Sequence, residues 1–123
     1  MTDPKSILVV EDDHDTRDTI CTMLHSMGYH VLSYDSGKSA LAAIPGKKIS
    51  VALLDIMMPE MNGYEVLKAI RKLPEFSSLP VIMVTAKDQD SEILEGYHCG
   101  ADYYITKPFT RKQLEYGLKL FLS

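Results

Sequence analysis

The sequence predicts an α/β domain built on a doubly wound, five-stranded parallel sheet. Three observations favour this fold class. Short apolar segments alternate along the chain with longer segments whose apolar residues recur at helical spacing. Most of the apolar segments are continuous rather than alternating, as expected for strands that are covered on both faces. The length of 123 residues is also that of one such domain.

Five apolar segments are predicted to be the strands. Right-handed crossovers leave few topologies for five strand–helix units, and the commonest at this size has the strand order 2-1-3-4-5. We therefore expect the flavodoxin-like, three-layer (βα)5 arrangement. The predicted strands are Ile7–Val10, His30–Tyr34, Val51–Leu54, Val81–Val84 and Tyr103–Ile105.

Five helices are predicted between and after the strands. In the first, Ile20, Leu24 and Met27 recur at helical spacing, and Gly28 follows where a glycine would end the helix. Prolines bracket the exit from the third helix, at the positions where a helix cannot continue. The remaining apolar stripes are Leu41/Ile44, Leu67/Ile70, Ile93/Tyr97 and Leu114/Leu118/Phe121, and the two prolines are Pro74 and Pro80.

Composition and charge indicate one ordinary globular domain. The chain is 46% hydrophobic and 24% charged, with a net charge of −4, and its basic residues are scattered. This distribution argues against direct binding of nucleic acid. No apolar segment is long enough to cross a membrane, and the first residues do not resemble a signal peptide. We expect residues 1–123 to form a single cytoplasmic domain without an effector domain, with Cys21 and Cys99 reduced.

Polar residues capable of phosphate and metal chemistry follow the predicted strands. Glu11 and Asp12 follow the first strand, Asp55 the third, Thr85 the fourth and Lys107 the fifth. The predicted strand order brings the first and third strands side by side, and ligands bind at the carboxyl ends of strands at that point. Clustered carboxylates repel one another unless a cation or a raised pKa compensates, and Mg²⁺ prefers such oxygen ligands. A carboxylate can also act as the nucleophile that accepts a phosphoryl group.

Each of these residues also has a purely structural interpretation. Asp12 or Asp13 could cap the following helix, and we expect the cap near Asp13 with Asp12 in the site. Asp55 could form an Asx-turn, Thr85 could be a capping hydroxyl and Lys107 a solvated charge. Only their joint occurrence at adjacent strand ends favours a functional site. The four histidines, which lack metal-binding spacing, are predicted to lie in packing or surface positions: His14, His25, His30 and His98.

Five short motifs together resemble the receiver domain of response regulators in two-component signalling, including the bacterial chemotaxis type. The resemblance extends from about Ser6 to Phe121, and the segment after the third strand is the most specific of the motifs. The motifs, in the order and spacing of that family, are Val9–Asp13, Asp55–Gly63, Val84–Ala86, Gly100–Asp102 and Thr106–Phe109.

The resemblance implies that Asp55 is the phosphoacceptor. It also implies one Mg²⁺ ion held by the carboxylates of Glu11, Asp12 and Asp55 and by the backbone carbonyl of Met57. Glu11 stands where the family more often has aspartate, so its reach to the metal differs by one methylene. Met57 and Lys87 occupy positions that tune the lifetime of the phosphoryl group in the family.

The resemblance further implies a switch. Thr85 would hydrogen-bond the phosphoryl group, Lys107 would pair with its oxygens, and Tyr104 falls on the position of the aromatic switch residue. The bond between Lys107 and Pro108 is cis in the family.

Partners follow from the same resemblance. The phosphoryl group would come from a sensor histidine kinase or a histidine phosphotransfer protein. The output surface would be the fourth helix, the fifth strand and the fifth helix, which would contact a downstream protein, an effector domain of the same protein or a second copy of the chain. Tyr116 and Leu120, four residues apart on the fifth helix, are either the half-buried edge of that helix or part of such a contact.

Two other functions compete with a phosphorylatable receiver. One is an aspartate-nucleophile phosphatase of the haloacid-dehalogenase type, for which Asp13-His14-Asp15 offers a superficial motif. Arg17 occupies the place where that class needs a small residue, and no cap insertion is present. The other is a degenerate receiver that only binds partners, although neither Asp55 nor Lys107 is lost. A flavin-binding flavodoxin would need a phosphate-binding loop where this chain has three acids.

Overall fold

A computed structural model describes residues 4–86 and 100–122 of the chain. Its five strands form one parallel sheet of order β2-β1-β3-β4-β5, which confirms the predicted fold class and topology. The last three strands extend one or two residues beyond the apolar segments, so that polar residues end β3 and β5. The strands are β1 (Ser6–Val10), β2 (His30–Tyr34), β3 (Val51–Asp55), β4 (Val81–Ala86) and β5 (Tyr103–Lys107).

Four α-helices cover the sheet in the described ranges. Asp13 caps the first of them, and Gly28 follows it with a φ of +90°, a conformation that costs glycine little. No helix in these ranges is long and apolar enough to cross a membrane. The helices are α1 (His14–Ser26), α2 (Gly37–Ala43), α3 (Gly63–Lys72) and the C-terminal helix (Arg111–Leu122), with a 3₁₀ turn at Pro74–Phe76. The predicted fourth helix, with its Ile93/Tyr97 stripe, and Lys87, His98 and Cys99 lie outside the described residues.

Two apolar clusters, one on each face of the sheet, form the core. Successive residues of β1 point to opposite faces, so that Leu8 and Val10 belong to one cluster and Ile7 and Val9 to the other. The first cluster contacts α2 and α3, and the second contacts α1 and the C-terminal helix. All residues of β3 are buried, and Asp55 therefore places a buried carboxyl group at the end of a strand that is otherwise fully apolar. The predicted inward residues Ile20, Leu24, Leu67, Ile70, Leu114 and Leu118 are all buried.

Arg71, near the end of α3, connects three elements at the amino ends of the strands. The polar residues of the site lie at the opposite, carboxyl ends. Its guanidinium donates to the carbonyls of Phe76, Leu79 and Gly100 and to Asp102 Oδ2, the last at 3.1 Å. The same Asp102 oxygen accepts the first peptide N–H of β4 at 2.8 Å. One ion pair therefore fixes where β4 and β5 begin relative to α3.

We expect Arg71→Met to lower the free energy of unfolding by about 2 kcal/mol, because it leaves the Asp102 carboxylate and several carbonyls without their donor. Urea denaturation followed by circular dichroism measures this change, which suits a chain without tryptophan. Lys72→Met, which removes a charge from the next, exposed position, is the matched control. Equal stability of the two variants would contradict a structural role for Arg71.

Candidate functional site

The loop between β1 and α1 separates its three acids into different environments. Glu11 is only 1% exposed, whereas Asp12 and Asp13 are exposed. Asp13 caps α1 by accepting hydrogen bonds from the Thr16 amide at 2.9 Å and the Thr16 hydroxyl at 2.6 Å. These two bonds lower the pKa of Asp13. The cap therefore uses Asp13, as predicted, and leaves Asp12 available to the site.

The loop between β3 and α3 holds Asp55 at the end of its strand. Asn62 and Glu65 form a reciprocal capping box at the start of α3. At Gly63 the helix comes so close to β3 that an added Cβ atom would lie 2.5 Å from the Asp55 carbonyl oxygen, so only glycine fits. Asp55 is 4% exposed as a result. Met57, two residues further along this loop, has a side chain that is 62% exposed.

Glu11, Asp12 and Asp55 form one carboxylate cluster across β1 and β3. Each contributes an oxygen, and these oxygens all lie within 4.8 Å of one another. Two of the three carboxylates are buried, so water cannot fully screen their repulsion. A cluster of hard oxygen donors with one open, exposed member fits Mg²⁺, which accepts few protein carboxylates and retains several waters.

Lys107 supplies the positive charge of the site. Its Nζ lies 2.8 Å from Glu11 Oε1 and 3.3 Å from Asp55 Oδ1. Burial alone would lower the pKa of Lys107, but the two carboxylates outweigh burial and raise it. The ammonium is therefore charged, and its shorter contact is with Glu11 rather than with Asp55. The peptide bond from Lys107 to Pro108 is cis.

Asp55 retains its proton much more readily than an ordinary aspartate. Burial, the hydrogen bond with Glu11 and the charge of Glu11 together raise its pKa from 3.8 to about 7, and Lys107 offsets only part of this rise. Near neutral pH and without a metal ion, the acid cluster therefore shares a proton. A divalent cation would favour the ionised form of the cluster in place of that proton.

Thr85 and Tyr104 lie on the two strands beyond Asp55. Thr85 is buried on β4, one residue after Val84, which is the register partner of Asp55. Tyr104 is half-buried on β5, opposite Met83, and packs against the apolar cluster that includes Leu8. The structure thus brings Glu11, Asp12, Asp55 and Lys107 together and places Thr85 at the same end of the sheet.

Sequence reasoning did not anticipate two contacts that hold Glu11. Arg17 Nη1 donates to the Glu11 carbonyl oxygen at 2.9 Å, and the Asp13 amide donates to Glu11 Oε2 at 3.2 Å. The sequence feature that could have predicted the first contact is an arginine on the second turn of a helix that follows an acidic loop. The geometry of the second depends on the path of the loop and has no signature in the sequence.

Comparison with known proteins gives one consistent result. The family model described as "Response regulator receiver domain" matches residues 7–119. Regulatory protein VanRc from Enterococcus gallinarum is 40% identical over 105 residues, which are 85% of this chain and 44% of that protein. The chain spans about half the length of the curated relatives that it matches.

Solved structures agree with this match. Chemotaxis protein CheY4 from Vibrio cholerae superposes with a TM-score of 0.92 at 29% identity, covering 97% of this chain and 99% of that one. The receiver domain of a sensor histidine kinase from Pseudomonas aeruginosa PAO1 superposes with a TM-score of 0.88 at 28% identity, covering 96% and 97% of the two chains. That structure has a magnesium ion coordinated in its active site cleft.

The raised pKa of Asp55 predicts how stability depends on pH in the absence of metal. The unfolded chain releases this proton near pH 4 and the folded chain near pH 7, so the contribution of Asp55 is fully present below pH 4 and is lost as the pH rises to 7. The loss is on the order of 2 kcal/mol after allowance for solvent screening. Asp55→Asn should remove this part of the pH dependence and stabilise the metal-free protein at pH 8.

Urea denaturation of both proteins in chelator, at intervals from pH 4.5 to pH 8, measures this difference. The stability gap between the variant and the natural protein should widen as the pH rises from 4.5 to about 7 and then level off. A gap that stays constant over this range would show that Asp55 titrates as an ordinary aspartate.

Proposed function

The chain belongs to the response regulator receiver family of two-component signalling, and we propose that it switches by accepting a phosphoryl group on Asp55. The observation that carries this proposal is the buried Asp55 carboxylate. It is grouped with Glu11 and Asp12, and an ammonium lies 3.3 Å from its oxygen. Phosphoryl transfer requires mainly positioning and neutralisation of charge, and these groups provide both.

The proposed donor is a phosphorylated histidine of a sensor kinase or a phosphotransfer protein. A carboxylate oxygen of Asp55 forms a bond to phosphorus while the bond from the imidazole nitrogen breaks, and the imidazole leaves with that electron pair and takes up a proton. Lys107, already 3.3 Å from Asp55, pairs with the oxygens of the transferred group. The hydroxyl of Thr85 donates a hydrogen bond to one of them, and later attack by water reverses the switch.

Glu11, Asp12, the Asp55 carboxylate and the Met57 carbonyl are the residues that would hold Mg²⁺. When bound, the cation supplies positive charge to the carboxylates and to the phosphoryl oxygens. The chemistry of the donor set supports this assignment, and so does the magnesium ion in the related receiver domain of the histidine kinase. Ionisation of Asp55, whose pKa is raised to about 7 without metal, makes the acceptor nucleophilic.

The structure gives less support to the two rival functions. In the phosphatase motif Asp13-His14-Asp15, Asp13 is used as a helix cap, and the three residues are exposed rather than grouped in a pocket. A receiver that only binds partners would not need Asp55 and Lys107 in contact. A phosphorylatable switch accounts both for the exposure of Asp13-His14-Asp15 and for the contact between Asp55 and Lys107.

A groove beside Lys107 is suited to docking of the phosphodonor. It has a volume of about 480 Å³ and lies between α1 and the residues that follow β5. Because it begins at Lys107, a helix lying in it could present a histidine to Asp55. The residues that line it include Thr19, Ile20 and Met23 on α1 and Pro108 and Phe109 after β5.

The proposed output surface lies on β5 and the C-terminal helix. The rings of Tyr103 and Tyr116 lie 6.4 Å apart, and a recess of about 280 Å³ next to them is lined partly by Tyr104. Tyr116 is 60% exposed and Leu120 is 48% exposed, which supports a contact with a downstream protein, an effector domain or a second copy. The predicted fourth helix, which completes this surface in the family, lies outside the described residues.

Phosphorylation at Asp55 is tested with acetyl phosphate and Mg²⁺. Intact mass spectrometry should show one added phosphoryl group on the natural protein. Chelation of the metal should suppress the product, and Asp55→Asn should abolish it, because the amide is not a nucleophile. Asp15→Asn, at an exposed acid outside the cluster, is the matched control. Undiminished labelling of the Asp55→Asn protein would place the acceptor elsewhere.

Docking of the donor in the groove is tested with Thr19→Arg. The long charged side chain should slow phosphotransfer from a phosphohistidine protein on the order of tenfold, the effect of losing about 1.4 kcal/mol of docking free energy. Labelling by acetyl phosphate, which needs no docking surface, should be unchanged. Thr22→Arg, at an exposed position of α1 that does not line the groove, is the control. Equal phosphotransfer rates for the two variants would exclude this groove.

A further inference from the structure

Arg17 has an unusual position for a helix arginine next to several acids. It lies on the second turn of α1, and its Nη1 donates to the backbone carbonyl of Glu11 at 2.9 Å across the loop between β1 and α1. Over residues 4–86 and 100–122, no carboxylate lies within 4.0 Å of its guanidinium. Its defined polar contact is therefore with the backbone of the acidic loop rather than with a neighbouring charge.

The contact of Arg17 is one of four hydrogen bonds that attach Glu11, whose own amide donates to the Tyr34 carbonyl at 3.1 Å. Lys107 holds one carboxylate oxygen of Glu11 at 2.8 Å, and the Asp13 amide holds the other at 3.2 Å. Arg17 holds the main-chain carbonyl of the same residue. The side chain and the peptide plane that leads to Asp12 are thus fixed from different directions.

We propose that Arg17 is a positioning residue for the metal-binding loop: it fixes the Glu11 peptide so that the carboxylates of Glu11 and Asp12 are preorganised for Mg²⁺. This inference rests on the proposed Mg²⁺-dependent function of the site. Arg17 does not touch the metal or the phosphoryl group and acts only through the loop. The main chain of Arg17 is held within α1 independently of its side chain, because the Arg17 amide donates to the Asp13 carbonyl at 2.9 Å.

The sign of the effect separates positioning from simple electrostatics. A guanidinium close to a cation site repels the cation, so removal of its charge alone should tighten Mg²⁺ binding. Loss of positioning should instead weaken binding, because the loop must then be ordered when the metal binds. The proposal requires the second effect to exceed the first.

The experiment measures the Kd of Mg²⁺ by calorimetry for the natural protein and for Arg17→Met, in 0.15 M salt to screen charge effects. Methionine keeps much of the apolar length of the side chain but removes the donor and the charge. We expect the Kd to rise between about threefold and tenfold, because the loss of one hydrogen bond with a charged donor is partly offset by the loss of the repulsion between the guanidinium and the cation. The yield of phosphorylation by acetyl phosphate should fall at limiting Mg²⁺ and recover at saturating Mg²⁺.

Arg111→Met is the matched control, since it removes the same charge from an exposed position on the C-terminal helix and should leave the Kd unchanged. If Arg17→Met does not fold, Arg17→Gln, which removes the charge and shortens the side chain, replaces it in the same test. An unchanged or lower Kd overturns the proposal, even if the melting temperature falls. If the natural protein itself neither binds Mg²⁺ nor accepts a phosphoryl group, the proposed function fails rather than the role of Arg17.

Discussion

The structure depends on the cost of burying two carboxylates at adjacent strand ends. Glu11 and Asp55 follow or end apolar strands at the centre of the sheet, where little water reaches them. Such groups are tolerated only if a counter-charge, a proton or a metal ion compensates. Lys107 provides the counter-charge, and the pKa of Asp55, raised to about 7, shows that one ammonium does not suffice. The cluster therefore has a deficit of positive charge, and in the proposed function this deficit would link metal binding, phosphorylation and stability.

Contacts at both ends of the strands hold the helices and strands around this cluster in place. At the carboxyl ends of the strands, Gly63 lets α3 approach the Asp55 carbonyl, and the Asn62 capping box fixes the start of that helix. At the amino ends of the strands, the pair of Arg71 and Asp102 fixes where β4 and β5 begin. Because none of these contacts involves a carboxylate of the cluster, the changes of charge proposed at Asp55 would leave them in place.

Much of the fold and of the candidate site could be predicted from the sequence, because both depend on features that are local in the chain. Continuous apolar segments predict the strands. The predicted strand order then brings residues as distant in the chain as Glu11, Asp55 and Lys107 to the same end of the sheet. The contacts that refine the site could not be predicted, since they depend on side-chain paths. Lys107 lies closer to Glu11 than to Asp55, whereas the family resemblance implies only that it pairs with the phosphoryl oxygens. The sequence predicts no role for Arg17 in the site, because its bond to the Glu11 carbonyl depends on the turn of one loop.

We expect Asp55 to retain its proton without metal and to release it when a cation joins the cluster. Carbon-detected NMR of the Asp55 carboxyl group, titrated from pH 4 to pH 9 with and without Mg²⁺, tests this claim directly. We expect a midpoint of about 7 in chelator and a clearly lower midpoint in saturating Mg²⁺. A midpoint near the ordinary value of 3.8 in chelator, or one that Mg²⁺ does not move, would contradict it.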